Sequence, residues 1–99
     1  MRTPKLDEFA TNIFAKLKTD DASYVHNYGD NSITMTVKVD GYTLEVSSTG
    51  HDVQIVCSNE TNTPQCFMEI MPEEIKVTPY EGSDAETIEA IKELILSKI

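Results

Sequence analysis

A chain of 99 residues with 39% hydrophobic and 25% charged content suits one globular domain over residues 1–99 and excludes a disordered or fibrous polymer. Seventeen Asp and Glu stand against eight Lys and Arg, a formal net charge of −9. That balance excludes direct binding of nucleic acid, which depends on neutralising phosphates with Lys and Arg.

The excess acid is unevenly spread. Residues 1–50 hold seven acids and five bases, a balance of −2, whereas residues 51–99 hold ten acids and three bases, a balance of −7. Charge this lopsided bears on partners rather than on fold, and it favours a basic protein surface.

Met1-Arg2-Thr3-Pro4-Lys5 passes directly into an amphipathic pattern and lacks the apolar stretch of a signal peptide. No apolar run approaches the roughly 18 residues of a membrane span. The expectation is a full-length cytosolic protein. The first helix is predicted from Thr3 as cap and Pro4 at the first helical position, with Asp7 and Glu8 in the early turns. Leu6, Phe9, Ala10, Ile13, Phe14 and Leu17 recur at the spacing of one helical face, and the pattern stops at Thr19-Asp20-Asp21.

A run of strands follows. Tyr24-Val25-His26-Asn27-Tyr28 reads as a short one, closed by Gly29-Asp30-Asn31. Ile33, Met35, Val37 and Val39 then alternate with Thr34, Thr36 and Lys38, and Tyr42, Leu44 and Val46 alternate with Thr43, Glu45 and Ser47. Asp40-Gly41 between them signals a two-residue type I′ turn. Such a turn sets Val39 opposite Tyr42, Val37 opposite Leu44 and Met35 opposite Val46.

After Ser47-Ser48-Thr49-Gly50, residues 53–57 and 66–70 suggest a second hairpin around an eight-residue polar loop, 58–65. Setting Cys57 opposite Cys66 gathers Val53, Ile55, Cys57, Cys66, Met68 and Ile70 on one face, as a half-buried sheet requires. The same register puts Val56 beside Phe67 on the other face, Gln54 opposite Glu69, and Met71 nearby. Ile75-Lys76-Val77 reads as a short edge strand before Pro79. Ser83-Asp84-Ala85-Glu86 matches a capping box for the last helix, with Ser83 as cap. Ile88, Ile91, Ile95 and Ile99 form that helix's apolar stripe, and Glu86, Glu89 and Glu93 share its opposite side.

The fold class follows: α+β in two layers, with an N-terminal helix, an antiparallel meander of four to six strands and a C-terminal helix, both helices on one sheet face.

Catalytic signals are thin. His26 and His51 are the only histidines, and they form no short ligand spacing with Cys57 and Cys66. No Gly-rich phosphate loop, nucleophile elbow or His-Glu-x-x-His stretch occurs. The reading is a non-enzyme with no catalytic residue, metal or cofactor. In a reducing cytosol Cys57 and Cys66 are expected as free thiols, and the sequon Asn59-Glu60-Thr61 as a plain polar loop.

Two features point to partner surfaces. Glu69, Glu73, Glu74, Glu81, Asp84, Glu86, Glu89 and Glu93 crowd the C-terminal half, either a solvated surface that keeps a small protein soluble or an electrostatic lure for a basic groove. Val56, Phe67 and Met71 are apolar on the face that should meet water; either the 58–65 loop or the Tyr80 segment covers them, or they form an apolar centre in an acidic rim. The partner-binding candidates are therefore Val56, Phe67, Glu69, Met71, Glu73, Glu74, Glu86, Glu89 and Glu93.

Asp30-Asn31-Ser32-Ile33-Thr34, leading into a strand and followed by the Asp40-Gly41 hairpin, together with size and acidity, resembles the small acidic inhibitors of phages and mobile elements, including anti-CRISPR proteins. Acidic immunity proteins that neutralise nuclease toxins look similar. The resemblance implies a phage-encoded anti-CRISPR or anti-nuclease inhibitor, a DNA mimic docking on a basic, nucleic-acid-handling protein. It assigns no residue roles. The alternative is a cytosolic structural or interaction domain with no nucleic-acid-related role, homodimeric through the exposed hairpin face or an unpaired edge strand.

Overall fold

The computed structural model describes residues 7–20, 22–27 and 32–99, with backbone alone at 24–27. The elements run α1 (Glu8–Leu17), β1 (Ser23–Asn27), β2 (Ser32–Val39), β3 (Tyr42–Ser48), β4 (Val53–Ser58), β5 (Pro64–Ile70), β6 (Ile75–Pro79) and α2 (Ala85–Lys98). The six strands form one antiparallel sheet in simple chain order, β1 to β6. This is the expected α+β meander between two helices.

Register follows turn chemistry. Asp40 and Gly41 both take positive φ, 51° and 88°, as a type I′ turn demands. Val39 pairs with Tyr42, Val37 with Leu44 and Met35 with Val46. In the next hairpin Cys57 opposes Cys66, Ile55 opposes Met68 and Val53 opposes Ile70, as their apolar sorting requires. The inner residues of β2 to β5 are buried, apart from the half-buried Tyr42 at the hairpin end. They meet Ala10, Ile13, Phe14 and Leu17 of α1 and Ile88, Ile91 and Ile95 of α2 in one core. Both helices thus cover the same face.

Three local expectations are corrected. Helix α1 starts at Glu8, and its cap is Asp7, whose carboxylate accepts from the Ala10 amide at 2.9 Å. The Asp7 amide donates to the Gly50 carbonyl at 2.8 Å, which pins the start of α1 to the β3–β4 turn. Thr3, Pro4 and Leu6 lie outside the described residues, as do Asp21, Tyr28 and the Gly29-Asp30-Asn31 turn.

Helix α2 is capped by Asp84 rather than Ser83. The Asp84 carboxylate accepts from the Thr87 amide at 3.2 Å and from the Thr87 hydroxyl at 2.7 Å. A carboxylate with two donors one turn ahead outcompetes a neutral hydroxyl for the cap. Those bonds, the Thr87 hydroxyl first, hold the Asp84 carboxyl below its ordinary value.

The third correction is the β4–β5 loop, which is 59–63 rather than 58–65. The ladder shifts after Cys57, so that Ser58 pairs with Pro64 while Cys66 pairs with Cys57. Gln65 is the extra residue of this bulge, and it is buried. Its side-chain oxygen accepts from the Asp84 amide at 3.0 Å, its side-chain nitrogen donates to the Thr63 carbonyl at 3.2 Å, and its own carbonyl accepts from the Tyr80 amide at 3.0 Å. One bulged glutamine thereby joins the loop, the strand and the start of α2.

Candidate docking surfaces

The two-layer architecture divides the expected partner residues into two groups. On α2, Ile88, Ile91 and Ile95 are buried against the sheet, so Glu86, Glu89 and Glu93 project outward from the helix layer, all exposed. Val56 and Phe67 stand opposite each other on β4 and β5, half-buried, on the face that the helices leave open. Glu69 shares that open face, paired with Gln54 and Lys76 in the neighbouring strands. The α2 acids and the Val56–Phe67 pair therefore lie on opposite sides of the molecule.

Met71, Glu73 and Glu74 belong to neither strand face. They occupy the turn between β5 and β6 and line a groove of about 570 Å³ with Phe9, Ile13 and Lys16 of α1, Ile70, Ile75 and Ile99. Phe9, at the edge of the α1 stripe, is only half-buried for this reason. Met71 is thus grouped with α1 and the end of α2 rather than with Val56 and Phe67. Sequence periodicity placed Phe9 and Ile13 in the core; the weak signal for a groove was Phe9 lying off the centre of its own helical face.

The acid is little compensated. Among the described residues, Lys76 lies 3.8 Å from Glu74 and Lys92 lies 3.2 Å from Glu89, both pairs largely in water. Exposed pairs of this kind contribute about 0–1 kcal/mol, so they do little to fix either glutamate.

The remaining candidates have structural work. Cys57 and Cys66 are buried free thiols facing one another. A hydrogen bond to Cys66, then burial, pushes the Cys57 thiol above its ordinary value, the opposite of what a nucleophilic cysteine needs. His51 is exposed beside the α1 cap, 3.4 Å from Asp7. The Asn59 side chain accepts from the Thr61 amide and hydroxyl and from the Thr63 amide, all within 3.0 Å; it organises the loop as an Asx turn. Among the described residues, no three His, Cys, Asp or Glu side chains gather where a metal ion could be held. None of the described helices is long and apolar enough to cross a membrane.

No family model, curated protein or solved structure matches the chain.

Proposed function

We propose that this chain is a small acidic protein-binding module of the cytoplasm, an inhibitor that docks on a basic, nucleic-acid-handling protein and competes with its nucleic acid. The observation that carries the reading is the outward stripe of Glu86, Glu89 and Glu93 on α2 in a chain of net charge −9. The helix layer offers what such docking needs. Its acids steer a basic groove into encounter, an effect worth about 10–10³ in association rate. The groove at the C-terminal end of the same helix, walled by Phe9, Ile13, Met71 and Ile99 and rimmed by Glu73 and Glu74, accepts an apolar side chain of the partner and slows dissociation.

The test is competitive. Wild-type chain and a Glu86→Lys/Glu89→Lys/Glu93→Lys variant are immobilised, and nucleic-acid-binding proteins retained at low salt are purified and re-tested for DNA binding. The reading expects one protein held by wild type only, released by added DNA and blocked from DNA by the free chain. Equal retention by the charge-reversed variant, or a retained protein that still binds DNA in the presence of the chain, overturns it.

A further inference from the structure

The open face of the sheet differs in charge from the rest of the molecule. Among the described residues its strands project Lys38, Glu45, Glu69 and Lys76, two of each sign, so this face is neutral in a chain of −9. At its centre are Val56 and Phe67, directly opposed on β4 and β5. One step outward on one side, Glu45 pairs with Val56; one step outward on the other, Thr78 pairs with Phe67, with Lys76 two residues along the same strand.

That order is self-complementary. A two-fold axis running along the strands between β4 and β5 places Val56 of one copy over Phe67 of the other. The same rotation carries Glu45 onto the β6 strand of the second copy, within reach of its Lys76, and carries Glu69 onto Gln54. It also sets the Glu69 side chains of the two copies on either side of the axis, each beside Lys76 of its own chain on the neighbouring strand. From these registers we infer that the open sheet face is an isologous interface between two copies of this chain, centred on Val56 and Phe67 and flanked by two Glu45–Lys76 pairs.

Its size sets its strength. Four strands per copy overlap, at about 4.8 Å spacing and roughly 20 Å of length, or about 400 Å² of sheet in projection per copy. A standard interface buries about 800 Å² per partner. The dimer is therefore a weak, concentration-dependent one. It goes beyond docking on a basic partner, because it uses the opposite side of the molecule.

Sedimentation equilibrium of the full chain, over about 10 μM to about 1 mM to cover weak affinities, tests it. The mean mass should climb from one chain towards two. Phe67→Ala should weaken association by about tenfold or more, as a central aromatic contact does. Glu45→Lys and Lys76→Glu should each weaken it, and the double swap should restore it towards wild type; far-UV circular dichroism checks that each variant is folded. A chain that stays monomeric throughout overturns the inference. So does a dimer indifferent to Phe67→Ala and to both single swaps, which would place the contact elsewhere, such as the β6 edge.

Discussion

Removing the side chain of Gln65 tests how the two layers are joined. Gln65 is 4% exposed and bridges the Thr63 carbonyl to the Asp84 amide. Gln65→Ala deletes both side-chain bonds, each contributing about 0.5–1.5 kcal/mol net, so the expected loss is about 1–3 kcal/mol. In a domain of this size each kcal/mol lowers Tm by about 4–8 °C. Urea unfolding should show a lower midpoint at unchanged slope, because the same surface is exposed on unfolding. Gln65→Glu keeps the acceptor for Asp84 but places a carboxylate against the Thr63 carbonyl, and should be no better than Ala. Gln54→Ala, half-buried on the open face, is the control, expected within about 0.5 kcal/mol of wild type. If Gln65→Ala and Gln54→Ala are indistinguishable, the bulge does not join loop to helix and the reasoning fails.

Asp84→Ala should lower Tm more than Ser83→Ala, measured side by side, since Asp84 holds the cap. Because its folded carboxyl lies below its ordinary value of 3.8, its contribution is complete above that value and is lost as pH falls through the lower folded one; Asp84→Asn should flatten that acid limb in thermal scans. Ile91→Ala and Ile95→Ala, fully buried, should each cost about 2–5 kcal/mol, while Glu89→Gln should stay within about 0.5 kcal/mol; equal losses would mean α2 is rotated from its observed face. Met71→Ala should speed dissociation from a docked partner without changing the association rate, and Glu73→Lys should do the reverse, both read by surface plasmon resonance.

What could be read in the sequence was whatever a local rule decides. Asp40-Gly41 dictated one hairpin because its positive-φ turn leaves a single register, and Cys57 opposite Cys66 was the pairing that sorted six apolar residues inward. The bulge at Gln65 left no such trace: Pro64-Gln65-Cys66 reads as polar loop meeting apolar strand whether or not one residue is skipped. The cap of α2 lay between two competent neighbours, Ser83 and Asp84, and the Thr87 hydroxyl one turn ahead decided it. Each candidate partner residue was read on a face of its own element, but which faces end up on one side of the molecule is a property of packing. Burying Ile88, Ile91 and Ile95 sends Glu86, Glu89 and Glu93 one way and leaves Val56 and Phe67 facing the other. The groove around Met71 draws on α1, β5 and the end of α2, and no periodicity within one segment announces such a site.

Because the two surfaces differ in charge, salt should move them in opposite directions. Docking of the helix-layer acids on a basic partner joins unlike fields, so screening weakens it; the Debye length falls from about 30 Å at 0.01 M to about 8 Å at 0.15 M ionic strength. Self-association through the neutral sheet face brings together two chains of −9 each. At low salt their long-range repulsion opposes contact, while the Glu45–Lys76 pairs act at short range and are screened less. Raising ionic strength from about 0.01 to about 0.15 M should therefore tighten the dimer and loosen the complex. Glu86→Lys, Glu89→Lys and Glu93→Lys together reduce the magnitude of the net charge without touching the sheet face, so they should strengthen the dimer at low salt and flatten its salt dependence. If both associations weaken with salt in parallel, the same acids serve both, and the division of labour between the helix layer and the sheet face is wrong.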